Sequence, residues 1–139
     1  MRRLVARGRG ADAENVPGAM PDAAAISTMM TYNESLQKAG VLLALDGLHP
    51  PSMGARVTFP AGKPKVTDGP FAEAKEVVGG YWIIQAKSRE EAIEWASRCP
   101  AGANDAIEVR RILEFADFPA DVQARFPELQ SAAGETTEP

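Results

Sequence analysis

Cysteine and histidine are almost absent from this chain of 139 residues, which contains one of each. The single cysteine, Cys99, cannot form an intrachain disulfide, and such sparse cysteine usage favours a reducing compartment. A zinc site built on cysteine and histidine needs three or four such ligands, so Cys99 and His49 cannot make one within a single chain. We therefore predict a fold that needs neither disulfide nor metal, and a protein that uses no cofactor.

Long apolar runs and basic stripes are lacking as well. No apolar run reaches about 18 residues, the length that would cross a bilayer, and the first residues lack the apolar segment of a signal peptide. The net charge is −4, whereas nucleic-acid binders usually carry a basic stripe. We expect a cytoplasmic protein that binds neither membranes nor nucleic acid directly.

The composition is that of a globular protein, with 45% hydrophobic and 24% charged residues. A chain of this length suits one domain. We assign the domain to residues 1–118 and a C-terminal extension to residues 119–139, whose polar end from about residue 131 is expected to be disordered.

The apolar pattern predicts strands and two helices. The first helix should begin near Asp22 and end near Gly40. Met29 and Met30 are expected in the core, and the alternative is a binding surface. The second should follow a capping box from Ser88 to Glu91, with Cys99 packed on its apolar face. The remaining predicted elements are strands over residues 1–8, 41–51, 79–87 and 106–115, a hairpin over 55–68, one helical turn over 72–77 and a surface wrap over 116–128.

This order, β-α-β-hairpin-β-α-β, predicts the α+β ferredoxin-like plan with an inserted hairpin. Both helices then lie on one face of the sheet. The run from Tyr81 to Ile84 has no polar face, although a strand with one face in water should alternate. We infer that the second face is covered by the same face of another copy, giving a two-fold homodimer with sheets packed face to face.

Three stretches carry a family resemblance: "VTDGPFAEAKEVVGGYWIIQAKSREEAIEWASRCP", "AGVLLALDGLHPPS" and "IEVRRILEF". The Asp68-Gly69-Pro70-Phe71 motif, with Gly79-Gly80-Tyr81 at this distance, resembles the DGPF branch of the YCII-related proteins over roughly residues 1–115. The resemblance implies a dimeric α+β barrel.

The resemblance implies little about activity. Most of the DGPF branch has no assigned reaction, and some relatives are linked with sigma factors and transcription initiation. One YCII-like enzyme eliminates chloride from a chlorinated hydroxyquinone, and that group is linked with a His-Asp pair. Its histidine lies near the start of the first helix, but residues 17–30 contain none here and the chain's only histidine is His49. A copied pair is therefore not supported, whereas a rearranged one is open.

The candidate catalytic residues are His49 and Asp68. Histidine suits proton transfer near neutral pH, and His49 stands before two prolines that stiffen the backbone; the alternative is a hydrogen-bonded surface imidazole. Asp68 opens a turn in which it should accept bonds from backbone amides, Gly69 should supply conformational freedom and Pro70 should fix a torsion. If residues 49–52 and 66–71 lie side by side, His49 would be a base oriented by Asp68; otherwise the motif is only a corner.

Candidate ligand-binding residues surround the same motif. They are Ser52, Phe71, Glu73 and Tyr81, of which Tyr81 would act through its hydroxyl group. Phe71 either fills the core or lines a pocket, and Glu73 follows the turn at a position matched in the family pattern.

Three functions remain open from the sequence. The first is a small-molecule-binding or regulatory module, with a sigma factor or another transcription protein as a possible partner. The second is a cofactor-independent lyase or isomerase that uses His49 and Asp68. The third is a purely structural assembly unit.

Overall fold

The structure is a computed structural model that describes residues 2–10, 22–71, 76–103 and 105–128, with only the backbone of residues 2–10. Strands and helices alternate along the chain, apart from a hairpin in the middle. In chain order they are β1 (Arg2–Gly10), α1 (Ala23–Lys38), β2 (Leu42–Gly47), β3 (Ala55–Thr58), β4 (Lys65–Asp68), β5 (Glu76–Gln85), α2 (Arg89–Ser97), β6 (Asp105–Arg111) and α3 (Ala120–Arg125).

Four of these strands form one antiparallel sheet in the order β2-β5-β1-β6. Strands β3 and β4 pair only with each other, as a hairpin inserted between the second and third strands of the sheet. This arrangement is the ferredoxin-like α+β plan, which confirms the fold class predicted from the sequence.

Local differences from the sequence prediction lie at the ends of elements. Strand β6 ends at Arg111 rather than 115, because Phe115–Asp117 form a short 3-10 helix. Of the helical turn expected over residues 72–77, residues 72–75 lie outside the described part, and Glu76 and Val77 belong to β5. The predicted extension contains α3, and its tail from residue 131 also lies outside the described residues.

Helix α1 begins and ends where the sequence predicts. The Asp22 carboxylate accepts a hydrogen bond from the Ala25 amide at 2.7 Å, which satisfies one of the first-turn donors. At the other end, Gly40 has a φ of 73°, a conformation that glycine adopts without steric cost, and its amide donates to Gln37 O at 3.0 Å. The chain can therefore leave the helix and enter β2 within a few residues.

Helix α2 has the predicted cap with one change. The Glu91 amide donates to Ser88 Oγ at 3.1 Å. The Glu91 carboxylate accepts from the Lys87 amide at 2.7 Å, one residue earlier than the usual reciprocal bond to the cap residue. Both bonds fix the entry of the chain from β5 into α2.

The core lies between the helices and one face of the sheet. Its buried hydrophobic residues are Tyr32, Leu36, Trp82, Ile84, Ala86 and Ala92. The rings of Tyr32 and Trp82 meet edge to face, with centroids 5.8 Å apart and planes at 89°. The Tyr32 hydroxyl donates to Trp95 O at 2.7 Å, and burial raises the pKa of Tyr32 to about 12.

Two of the three predicted core assignments in the helices hold. Met29 and Cys99 pack against this core, as expected. The same expectation for Met30 is wrong, because its side chain is 56% exposed. Adjacent helical residues point in directions about 100° apart, so only one of two consecutive methionines can face the sheet.

The opposite face of the sheet is only partly covered within one chain. Trp82 and Ile84 are buried beneath the helices, whereas Tyr81 and Ile83, which alternate with them, are half-buried on the other face. The sequence predicts that this run is buried on both faces of the sheet. Within one chain it is buried on the face beneath the helices, and a second copy that covers the other face stays a prediction. No helix in the described ranges is long and apolar enough to cross a membrane.

Candidate functional site

A cleft opens where the end of β2 and the middle of β5 meet helix α1. We call it the edge cleft; its volume is about 190 Å³. It is lined by Met29 and Asn33 of α1, by Leu45, Asp46 and Gly47 of β2, and by Gly79, Gly80, Tyr81 and Trp82 of β5. Because β2 is an edge strand of the sheet, the cleft can be entered from the side.

One polar side chain in the edge cleft is fixed by the core. Trp82 Nε1 donates a hydrogen bond to Asn33 Oδ1 at 2.8 Å. This bond satisfies the only polar atom of the indole and sets the orientation of the amide. The Asn33 NH₂ group, a donor of two hydrogen bonds, has no acceptor among the residues that the structure describes. It is available to a ligand beside the apolar side chains of Met29 and Leu45.

A second polar pair joins the same two strands. Asp46 lies opposite Tyr81 in the antiparallel register, and the Tyr81 hydroxyl donates to Asp46 Oδ2 at 2.6 Å. Residues directly opposite each other share a face of the sheet, so this pair projects away from the helices while Leu45 and Trp82 project toward them.

The pair raises the pKa of Tyr81. The hydrogen bond to Asp46 and the negative charge of that carboxylate raise the pKa of Tyr81 above its ordinary value of 10.0, because a phenolate would face the carboxylate. Tyr81 therefore acts as a hydrogen-bond donor at neutral pH and not as a base.

Of the six site residues predicted from the sequence, the structure places Tyr81 on the edge cleft. His49, Ser52, Asp68 and Phe71 lie on the segments around the hairpin and do not line it. Glu73 falls within residues 72–75, outside the described part.

The DGPF motif is a corner held by close packing. A Cβ added to Gly69 would fall on the carbonyl oxygen of Pro51, and the Gly69 amide donates to Gly54 O at 3.0 Å. The positive φ angles recorded among the described glycines belong to Gly40 and Gly62, so conformational freedom is the wrong reason for Gly69. Glycine is needed because two backbone segments touch there, next to a cis peptide bond to Pro70.

The same contact brings the two candidate catalytic segments together. Segment 50–54 lies against Gly69, as the sequence hypothesis required of residues 49–52 and 66–71. His49 and Asp68 are both exposed, and a direct His49–Asp68 pair stays a prediction. Among the described residues no backbone amide donates to the Asp68 carboxylate, so the expected role of that side chain in closing the turn is not seen.

The remaining predicted residues in the described part, Phe71 and Ser52, lie on either side of the hairpin. The Arg56 guanidinium lies 4.1 Å from the centroid of the half-buried Phe71 ring, which ties the motif to β3. Phe71 is not part of the hydrophobic core cluster. Ser52 is half-buried in the 3-10 turn Pro51–Met53.

Sequence reasoning missed Asp46 and Asn33, and for Met29 it favoured core packing over a binding surface. The signal for Asp46 was present, since a carboxylate interrupts the apolar run "VLLALDGL". Asn33 gave no comparable signal, because an isolated amide in a helix does not reveal which side chain it meets. Within the described ranges, no group of three or more histidine, cysteine, aspartate or glutamate side chains could hold a metal ion.

Comparison with known proteins bears on the fold as a whole. The model of the YCII-related domain matches residues 4–116, which is most of the chain and includes both the edge cleft and the DGPF corner. The chain belongs to the YCII-related family. The sequence resemblance is therefore confirmed at the level of this family, and the narrower DGPF branch stays a prediction.

A relative of the YCII-related chain is an uncharacterized protein of Rhizobium meliloti (strain 1021). The two are 39% identical over 59 residues, a stretch that covers 42% of this chain and 48% of the relative. The chain thus aligns with about half the length of that protein, whose name states no activity.

The packing of Gly69 predicts a large cost for one added methyl group. In Gly69→Ala, the new methyl must displace the backbone at Pro51, so we expect a loss of about 1–3 kcal/mol or more in the free energy of unfolding. Urea denaturation measures it. Gly47→Ala is the matched control, because nothing lies within 4 Å of its added Cβ; we expect a change below about 0.5 kcal/mol there. Equal effects of the two substitutions would contradict the close approach.

The Asp46–Tyr81 pair predicts a change in tyrosine ionisation. The chain has two tyrosines, so ultraviolet titration of tyrosinate should show two steps. In Asp46→Asn, the titration step of Tyr81 should move down toward the ordinary tyrosine pKa of 10.0. The step of Tyr32, at a pKa of about 12, should not move and serves as an internal reference. Tyr81→Phe assigns the steps.

The pH dependence of stability follows from the same shift in the pKa of Tyr81. Since the folded-state pKa of Tyr81 is raised, the pair stabilises the fold below the ordinary value of 10.0 and this contribution is lost as the pH rises beyond it. An unchanged Tyr81 step in Asp46→Asn would show that the carboxylate does not act on the phenol.

Proposed function

We propose that this YCII-related protein is a small-molecule-binding module, with the edge cleft as its ligand site. The observation that carries the proposal is the Trp82–Asn33 hydrogen bond, which presents the Asn33 NH₂ group beside apolar side chains. Binding sites combine mostly apolar walls with a few fixed polar groups in this way.

The volume of the cleft, its polar group and the net charge of the chain narrow the class of ligand. A volume of about 190 Å³ lies below the range of about 300–1,000 Å³ that is usual for drug-sized ligands. The Asn33 NH₂ group requires a hydrogen-bond acceptor, and the net charge of −4 on the chain disfavours an anion. The ligand we propose is a small, neutral, partly apolar molecule with a carbonyl oxygen.

Homodimer formation belongs to the same proposal. The sheet face turned away from the helices carries the half-buried side chains of Tyr81 and Ile83, and β2 adds Leu43, which is 46% exposed. A second copy that covers this face would remove these groups from water. A sigma factor or another transcription protein as a downstream partner rests on the family resemblance alone.

Filling the edge cleft should abolish binding. We propose screening small neutral ketones, lactones and amides by thermal shift, and measuring affinities of the binders by calorimetry. Met29→Trp places a larger side chain at the cleft wall, so the dissociation constant should rise at least roughly tenfold. Met30→Trp is the matched control, because the neighbouring side chain is exposed and does not line the cleft.

Two outcomes would contradict the binding proposal. The first is a screen in which none of these compounds shifts the melting temperature of the wild-type protein. The second is a binder whose affinity falls equally in Met29→Trp and Met30→Trp, because such a compound would occupy another part of the surface.

A second candidate function is a lyase or isomerase that moves a proton through His49 and Asp68. It is favoured by the packing of Gly69 against Pro51, which places the two residues on touching segments. A base and its orienting acid must contact each other directly or through one water.

Replacement of His49 tests this reaction. His49→Asn should abolish turnover of a substrate that the wild-type protein converts, and should leave the urea midpoint unchanged because His49 is exposed. A side-chain separation of more than about 8 Å between His49 and Asp68 in an experimental structure would exclude the pair, since one water could not bridge it.

A further inference from the structure

The hairpin of β3 and β4 has one apolar face that nothing in the described chain covers. We call residues 55–68 the hairpin arm. Val57 and Val66 lie directly opposite each other in its register, so their side chains share a face. They are 50% and 65% exposed, and Phe59, two residues beyond Val57, is 66% exposed.

The other face of the hairpin arm is polar. Arg56 lies opposite Thr67, and Thr58 lies opposite Lys65. Arg56 is engaged on this side with the ring of Phe71. Alternation between an apolar and a polar face is typical of a strand pair whose apolar side is packed against another layer.

Among the described residues the hairpin arm lacks that layer. Its strands pair with each other, and neither packs to any appreciable extent against another described helix or strand. In the same ranges the arm is held near its base, through the hydrogen bond from Gly69 to Gly54, the contact with Pro51 and the contact of Arg56 with the Phe71 ring. An isolated two-stranded hairpin is marginally stable in water, and a cluster of exposed apolar side chains marks an interaction surface.

The charges of the hairpin arm indicate an acidic partner surface. The arm carries the cations Arg56, Lys63 and Lys65 against the single acid Asp68. None of these cations forms an ion pair with a residue in the described ranges. The whole chain has a net charge of −4, so the part of the chain outside the arm is distinctly acidic.

We propose that the hairpin arm packs its Val57–Val66 face onto the body of a second copy of this chain. The chain outside the arm has the complementary sign of net charge, and it exposes apolar side chains such as Leu43. Under two-fold symmetry each copy gives one arm and receives one, so the apolar faces of both arms are covered at once. This inference rests on the homodimer proposed above and names the contact that holds it.

The test is the oligomeric state of the full chain, measured by sedimentation velocity over a range of concentrations. Val57→Asp introduces a carboxylate into the apolar face and against an acidic body, so the dimer dissociation constant should rise roughly 100-fold or more. Thr58→Asp is the matched control, because it makes the same charge change one residue along on the opposite face. We expect it to change the constant by less than about threefold.

Hydrogen exchange gives a second measurement that does not depend on a variant. The amides of residues 55–58 and 65–68 should exchange more slowly above the dissociation constant of the wild-type dimer than below it. Both substitutions are at exposed positions, so the circular dichroism spectra of the monomers should match that of the wild type.

The outcomes separate this contact from the proposals on which it rests. If the wild type dimerises but Val57→Asp changes the constant no more than Thr58→Asp, or if exchange in the arm does not depend on concentration, the arm contact is wrong and the dimer stands. If the wild type is a monomer at all concentrations tested, both are wrong. Ligand binding in the edge cleft is measured separately and can succeed in either case.

Discussion

The position of Trp82 is the constraint on which the rest of the structure depends. Its ring packs edge to face with Tyr32 of α1, and its indole nitrogen donates to Asn33 one residue further along the same helix. Strand β5 is therefore tied to α1 by both an apolar and a polar contact. Because β5 lies between β1 and β2 in the sheet, fixing this strand also fixes the register of its neighbours.

This arrangement places the edge cleft and explains why it is not at the DGPF motif. The cleft lies between α1, the end of β2 and the middle of β5, and Asn33 belongs both to the Trp82 contact and to the cleft wall. The motif instead packs on Pro51 through Gly69 and fixes the base of the hairpin arm. The motif is thus a structural corner, and it sets where the arm leaves the domain.

A large part of the fold could be predicted from the sequence because the signals are local. The Asp22 cap, the stop at Gly40 and the Ser88–Glu91 cap all depend on residues within one helical turn. The apolar run at Tyr81–Ile84 and the alternation around the hairpin identify the central strand and the arm. The candidate functional site was harder to predict from the sequence. Tyr81 was expected to act through its hydroxyl group, but its partner Asp46 lies 35 residues away along the chain. Nothing in the spacing of two such residues states that they pair across strands.

The sequence alone determined the order of the elements and the helix ends, because short-range hydrogen bonds and apolar periodicity encode them, and its motifs pointed to the YCII-related family. Only the tertiary structure decided that Asn33 meets Trp82, that Asp46 pairs with Tyr81 and raises its pKa, and that Gly69 is required by contact with Pro51. These are contacts between distant segments, and their geometry depends on the register and packing of the whole sheet. The two faces of the hairpin arm belong to both levels: alternation predicts them, and the fold leaves the apolar one exposed in a single chain.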